Sequence, residues 1–507
     1  MIFYVLLLAI GYYVWRFREQ RRRLPPGPMP LPLIGNTHQL GVEMVPMEQQ
    51  INKWGKQYGG IYTIWMPNPT VVITDYELIR EACVKNADAL AGRVRQFVLE
   101  VFQGGPQLGI PFSDGHTWRE LRRFTANLFR DFGFGSNLME NKINYELDAL
   151  LEWMNKKFKT GQSQITMPFD HPAIIVVTNV VSMLTIGSRF EIEGDAELAN
   201  MLDIHRRAIS QLNEPATMAL DLYPWLRFFP LFKHFNYDKI RQSNELYFDS
   251  FRRLMKERQE KIDQNPDQEP EDFLTAFMQE VRKRKAKGED LGIFTERQLL
   301  GSVQNLWTAG IETTRTTLEW AFRLVTMHPQ VQDRVRSEIH GVLGVDRRCT
   351  MADRQRLPYT VACMHEVQRY GNVIPMNVLH RTTKDVVVGG VQIPNDTAVL
   401  VQISSVHWDD KYFESPMQFN PNRFIMQNGQ LDNQLVDKVI PFSLGKRQCM
   451  GEALARMDLF MIFTTILQKY KLSMTPADKM KTADQLLEPE FRFMRATKPF
   501  EVIAEKV

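Results

Sequence analysis

The chain has 507 residues, 44% of them hydrophobic and 24% charged, so it can bury one large core or two ordinary ones and is neither fibrous nor disordered. With 62 lysines and arginines against 59 acidic residues, the net charge of +3 excludes a global electrostatic attraction to nucleic acid. Cys83, Cys349, Cys363 and Cys449 form no CxxC pair, which excludes a disulfide framework and a zinc site and fits a reducing, cytosol-facing domain.

The amino terminus, MIFYVLLLAIGYYVW, carries no charge and is followed by Arg16, Arg18, Arg21, Arg22 and Arg23. At about 1.5 Å per residue such a helix is short for a hydrocarbon core of about 30 Å, so snorkelling arginines or local thinning must make up the difference. A basic leader and an A-x-A cleavage site are missing, which favours a retained anchor over a signal peptide. The arginines place the rest of the chain in the cytosol, and Tyr4, Tyr12, Tyr13 and Trp15 suit the membrane interfaces. Next comes LPPGPMPLPLIGN, where Pro25, Pro26, Pro28, Pro30 and Pro32 cannot continue a helix and make a stiff, extended linker. The expected organisation is an anchor over 1–20, a basic and proline-rich hinge over 21–36 and a catalytic domain over 37–507.

The body reads as many amphipathic helices with a few strand pairs, a mainly α fold with small β-sheets. Strands are expected over 61–64 with 70–74, and over 386–391 and 399–403. The basic stretch VRKRKAKGED, 281–290, reads as a solvated loop between helices, with no function assigned. The span 296–328 contains no proline and predicts a helix far longer than average. Inside it lies AGIETT, 309–314, where Gly310 is a weak helix former and Thr313 can bond back to a carbonyl one turn earlier, so local opening of the helix is expected. In MHEVQRY, Glu366 and Arg369 stand at i and i+3, the spacing of an ion pair. In WRELRRF, Trp118 and Arg122 share one helical face.

The most informative residue is Cys449, framed in PFSLGKRQCMGEALARMDLF by Gly445, Arg447 and Gly451. The glycines permit backbone conformations or close approach that a side chain blocks, so a flat cofactor can lie against the loop. Leu454, Met457, Met461, Ile466 and Leu467 recur near helical spacing, which puts the cysteine at the start of a helix whose positive end favours a thiolate. A lone thiolate so framed suits a metal.

Phe442, Gly445, Arg447, Cys449 and Gly451 fit FxxGxRxCxG, which resembles the haem-binding loop of the cytochrome P-450 family. The resemblance spans nearly the whole chain: proline hinge, WxxxR, AGxET, ExxR, the PNRF loop and the cysteine loop stand in family order. It implies that fold, with a long central helix over haem b (iron protoporphyrin IX), and Cys449 as the proximal iron ligand. Thiolate ligation favours O–O cleavage over reversible oxygen carriage. By the same resemblance Arg447, Trp118, Arg122, Arg93 and His380 contact the haem propionates, and Glu312 and Thr313 supply protons for oxygen activation. Glu366, Arg369 and Arg423 form a structural triad, with Asn422 standing where an acidic residue is common.

The resemblance further points to Phe97, Val98, Phe102, Ile110, Ala309, Val373 and Ile374 as an apolar substrate pocket, hence to a hydrophobic substrate. It is to animal microsomal members that oxidise lipids and foreign compounds. The implied activity is a monooxygenase of the endoplasmic reticulum membrane. No GxGxxG loop opens a helix after a strand, so electrons are expected from a separate NADPH-dependent flavoprotein reductase, with cytochrome b5 a further candidate donor. Arg119, Arg123 and Lys446 are candidates for meeting such an acidic partner. A haem-thiolate isomerase acting on peroxides and a non-catalytic haem sensor are the rival readings of the same cysteine loop.

Overall fold

The strand IYTIWM has no polar break on either face except Thr63, the mark of a strand covered on both sides. The computed structural model describes residues 2–40, 46–134, 136–212, 214–266, 268–491 and 494–507. These fall into two compact units: one of Met1–Val94, Ile374–Met417 and Asp437–Cys449, the other of Arg95–Val373, Gln418–Val436 and Met450–Val507.

The first unit is built on a five-stranded sheet. Its strands are β1 (Ile61–Met66), β2 (Asn68–Ile73), β3 (Gly92–Arg93), β4 (His380–Arg381) and β5 (Ala398–Val401), in the order β1-β2-β5-β4-β3. β1 and β2 pair antiparallel with Ile61 opposite Ile73, and β2 runs parallel to β5 with Thr70 opposite Ala398. Because side chains alternate along a strand, Ile61, Val71, Ile73, Val399 and Val401 fill one core while Tyr62, Ile64, Val72 and Leu400 fill another on the opposite face. The expected strand 386–391 is instead a hairpin of Val386–Val388 and Val391–Ile393, turned at Gly389 and Gly390, both of positive φ. The expected strand 399–403 stops at Val401, since a short helix begins at Ile403.

The N-terminal helix α1 (Ile2–Arg23) runs three residues past the expected anchor boundary and ends on Arg21, Arg22 and Arg23, where cations meet its negative end. Phe17 packs on Trp65 with ring centroids 4.9 Å apart, and the Tyr13 hydroxyl accepts from the Leu33 amide at 2.8 Å. Phe3, Tyr4, Leu8, Tyr12 and Trp15 are exposed. Among the described residues no helix is long and apolar enough to cross a membrane. The proline segment is laid along β1 rather than standing off as a spacer: Asn36 donates to the Trp65 carbonyl at 2.7 Å and its side chain accepts from the Trp65 amide at 2.8 Å. A Cβ on Gly27 would sit 2.0 Å from the Thr63 carbonyl oxygen, so only glycine lets the two backbones approach this closely.

The second unit is mainly helical. Its principal helices are α2 (Gly115–Asp131), α3 (Asp170–Thr185), α4 (Ala196–Leu212), α5 (Asp238–Gln264), α6 (Glu296–Met327), α7 (Pro358–Gly371) and α8 (Glu452–Lys469). A three-stranded antiparallel sheet, with Glu501–Lys506 between Gln164–Pro168 and Tyr470–Met474, completes it. The expected helix 296–328 is α6, capped by the Thr295 side chain on the Gln298 amide at 3.2 Å. α6 is buried along most of its length, and Trp307 fastens it to α3 by donating to Ser182 Oγ at 2.9 Å. The basic run is not a loop: 281–287 is the end of a helix, Phe273–Lys287, closed by Gly288 in the left-handed region. Lysine and arginine are good helix formers and sit favourably at a helix C-terminus, which outweighs the reading of a charge run as loop.

α7 carries the ion-pair triad. Arg369 Nε lies 2.7 Å from Glu366 Oε2, Arg423 Nε 3.2 Å from Glu366 Oε1, and Glu366 and Arg369 are fully buried. The Asn420 amide adds a bond to Glu366 Oε1 at 2.8 Å, and both arginines donate to the Gln418 carbonyl. Asn422 instead accepts from Arg334, so its departure from an acidic residue leaves the triad intact. Glu366→Gln removes the one charge both guanidiniums share and is expected to lower unfolding stability by about 3–5 kcal/mol in urea denaturation. A loss below about 1 kcal/mol contradicts the triad's role as a buried ionic support.

Candidate active site

Cys449 is held by the backbone of the loop before it. Ser443 and Gly445 adopt φ of 61° and 74°, a short 3-10 turn spans Gly445–Arg447, and the Cys449 amide donates to the Phe442 carbonyl at 2.9 Å. The left-handed Ser443 is anchored by Asn377 Nδ2, which donates to its hydroxyl at 2.9 Å. A Cβ on Gly445 would lie 1.8 Å from the Cys83 carbonyl oxygen. The Cβ direction of Gly445 is therefore filled by this chain's own backbone, which only glycine allows. Gly451 has an ordinary φ of −85° and serves as the N-cap of α8, with Cys449 two residues before it. Leu454, Met457, Met461, Ile466 and Leu467 are buried on α8.

The four cysteines divide by environment. Burial pushes the Cys83 and Cys349 thiols up to about 12 and raises Cys363 as well, which makes them inert. Cys449 is exposed.

Around the same loop the first unit gathers buried cations. Arg447 donates to the Ala91 carbonyl through Nε at 2.8 Å and NH2 at 2.5 Å. Arg93 on β3 stands directly opposite His380 on β4 and donates to the Val378 and Leu379 carbonyls, each at 3.2 Å. The sheet register thus brings together two residues nearly three hundred positions apart. His380 donates from Nδ1 to the Leu90 carbonyl at 2.8 Å, while its Nε2 is buried without a hydrogen-bond partner. Burial first, then the Arg93 and Arg447 charges, lower the His380 imidazole to about 3. Two buried guanidiniums, with an exposed thiol on the loop that carries Arg447, fit a metal-bearing group that also carries carboxylates, whose approach would favour protonation of the orphaned His380 Nε2.

The second unit holds the other expected residues. Trp118 is buried on α2, with the Arg122 guanidinium 6.0 Å from its ring centroid; Arg119 and Arg123 are exposed. On α6, Thr313 Oγ donates to the Ala309 carbonyl at 2.8 Å, the back-bond expected from its spacing. The helix nevertheless continues unbroken there, and Gly310 admits α3, since a Cβ would meet Val181 Cγ2 at 3.0 Å. Glu312 is only 7% exposed and is paired with Arg315 at 3.2 Å and His205 at 2.8 Å.

The expected pocket residues lie on several elements. Phe97 stacks on Tyr237 at 6.0 Å, and the Val98 amide is held by Asp221 at 3.0 Å. Phe102 and Ile110 are buried, Phe102 meeting the Tyr247 ring edge-on at 6.1 Å. Ala309 is exposed, Val373 is buried with its carbonyl on the Arg495 amide, and Ile374, in the first unit, is half-buried. Lys446 is exposed and pairs with Asp88.

The family model of cytochrome P-450 matches residues 25–504. The chain belongs to the cytochrome P-450 family. It is 33% identical over 506 residues to probable cytochrome P-450 CYP36A1 of Caenorhabditis elegans, covering 99% of this chain and 98% of that one. It is 36% identical to cytochrome P-450 2C28 of Mesocricetus auratus, 92% of each chain being covered, and 35% identical to cytochrome P-450 2B4 of Oryctolagus cuniculus, covering 92% and 93%. This cytochrome P-450 is accordingly a haem-thiolate monooxygenase, an oxidoreductase with iron protoporphyrin IX as cofactor and the mainly α fold of its family. His205, Tyr247 and Asp221 are not singled out by the sequence, because each acquires its partner by tertiary contact, whereas Arg315, at i+3 from Glu312 and i−4 from Glu319, carries a local ion-pair signal that the reading of the sequence missed.

The depressed His380 imidazole has a consequence for the haem-free chain. An unfolded histidine titrates near 6.5, so this site's contribution to stability is full above that pH and is lost as pH falls from about 6.5 toward 3. Between about pH 6.5 and 5.5 urea unfolding of the haem-free protein should lose about 1 kcal/mol more than that of His380→Asn. Equal losses in the two proteins would show that His380 is not buried neutral.

Proposed function

We propose that this cytochrome P-450 inserts one atom of O2 into a hydrophobic organic substrate, a foreign compound, fatty acid or steroid-like molecule, at the endoplasmic reticulum membrane. Its electrons come from a separate NADPH-dependent flavoprotein reductase, with cytochrome b5 as a second donor. The observation that carries the reading is the exposed Cys449 thiol on a conformationally locked loop that also carries the buried Arg447, which is tied through Ala91 to the strand holding Arg93 opposite His380.

Cys449 is the iron ligand, and Phe442 shapes the loop that presents it. Arg447 and Arg93 hold carboxylates of the cofactor, His380 joins them only by taking up a proton at Nε2 when a carboxylate arrives, and the family resemblance gives Trp118 and Arg122 the same role. When bound, haem supplies the redox chemistry that activates O2. The chain's own part in that chemistry is to deliver protons, for which Glu312 and Thr313 are the acid and the hydroxyl relay. Glu366, Arg369 and Arg423 are support. Apolar side chains at Phe97, Phe102, Ile110, Ala309, Val373 and Ile374 select a hydrophobic substrate. Residues 1–20 anchor the chain, 21–36 orient it and 37–507 form the catalytic domain. Exposed aromatic residues on α1 and its terminal arginines support membrane attachment.

The test is turnover of hydrophobic substrates by the membrane-bound chain with purified reductase and NADPH under isotopically labelled O2. One labelled oxygen atom should enter the product. Thr313→Ala should keep haem content while product formed per NADPH consumed falls about tenfold. Turnover of peroxides without reductase, and none with it, would overturn this function in favour of an isomerase.

A further inference from the structure

Three elements meet on one buried imidazole. His205 of α4 is 3% exposed, Tyr247 of α5 is 1% exposed and Glu312 of α6 is 7% exposed. His205 Nδ1 lies 2.5 Å from the Tyr247 hydroxyl, and its Nε2 lies 2.8 Å from Glu312 Oε1. The second contact is an ion pair in distance but lies off the direction of an aligned hydrogen bond, so the imidazole must turn slightly to align Nε2–H with Oε1 before a proton can move. The Trp307 ring, 5.9 Å away and nearly perpendicular, closes the imidazole off on the α6 side.

We propose that His205 is the positioning residue and proton store for Glu312. This rests on the acid role proposed for Glu312. The charges of the named groups support it. Glu312 pairs with Arg315 at 3.2 Å, and Arg315 pairs with Glu319 at 2.7 Å. With His205 as imidazolium, two carboxylates face two cations and the cluster is neutral. If Nε2 passes its proton to Glu312 Oε1, an imidazole and a carboxylic acid replace the ion pair, and Arg315 and Glu319 remain balanced. One proton moves, no electron is transferred, and no uncompensated charge is left buried at either end.

Tyr247 allows both states. Burial raises its phenol well above the usual value, so it remains an O–H group. Nδ1 keeps its proton whether or not Nε2 has passed its own to Glu312, so in both states the Tyr247 oxygen accepts from Nδ1. Tyr247 also touches Phe102 edge-on, which links the proton store to a residue of the proposed substrate pocket.

The experiment uses the haem-loaded full chain with its reductase, comparing His205→Gln, Tyr247→Phe and Glu312→Gln. Glutamine preserves a donor near Nε2 but cannot exchange a proton. His205→Gln should keep KM within about twofold, lower product per NADPH about tenfold, and lose the variation of that ratio across about pH 5.5 to 8.5. A second readout needs no turnover: the ring nitrogen signals of His205 in histidine-labelled protein, assigned by their loss in His205→Gln, should shift in Glu312→Gln and in Tyr247→Phe. A wild-type pH profile in His205→Gln, alongside an impaired Glu312→Gln, would overturn the proposal and spare the role of Glu312. If Glu312→Gln itself matches wild type in coupling, the acid role assigned to Glu312 fails, whatever the ring signals do.

Discussion

A thiolate can serve as a metal ligand only if the backbone presents it to the metal and keeps it from collapsing into the core. In this chain that depends on a steric lock: Gly445, at φ 74°, is pressed on the Cys83 carbonyl, and the neighbouring Ser443 is held in the left-handed region by Asn377. Any side chain at position 445 meets both the positive φ and the Cys83 backbone, and no shift of a flexible group relieves the second. The lock leaves Cys449 exposed while Cys83, Cys349 and Cys363 are buried. Sulfur reactivity here is thus set by loop geometry and packing.

Electrostatics completes what the loop begins. Arg93 and His380 are far apart in sequence but share a register on β3 and β4, and Arg447 follows the loop's turn. Buried guanidiniums held on neutral carbonyls, beside an imidazole kept neutral by burial and by those charges, make a site that favours an anion. In the second unit the same physics runs differently. The Glu366, Arg369 and Arg423 cluster is closed upon itself and supports the fold, whereas in the cluster around Glu312 a proton can pass between His205 and Glu312 without changing the net charge.

Features carried by local chemistry were legible in the sequence. The long helix, the Thr313 back-bond, the β1–β2 pair and the Glu366–Arg369 pair follow from spacing and side-chain type, while Arg423 came with the family resemblance. Errors arose where a local rule met a competing one. The basic run 281–287 is helical because lysine and arginine favour a helix end, and 386–391 bends at a Gly-Gly pair inside an apolar run. Gly445 needs the positive φ and close approach expected of it, the approaching group being the Cys83 backbone, while Gly310 admits Val181 instead of opening the helix. His205 and Tyr247 stayed hidden because periodicity assigns such residues to a core and says nothing of what they touch there.

Every role assigned to this chain depends on the ligand to iron. The most direct measurement is the carbon monoxide difference spectrum of the reduced, haem-loaded protein, taken in parallel with Cys449→Ser. Ligation by Cys449 predicts the red-shifted band of a thiolate complex in the wild type and its loss in the serine variant. A wild type without that band, or a serine variant that keeps it, would contradict the assignment of Cys449.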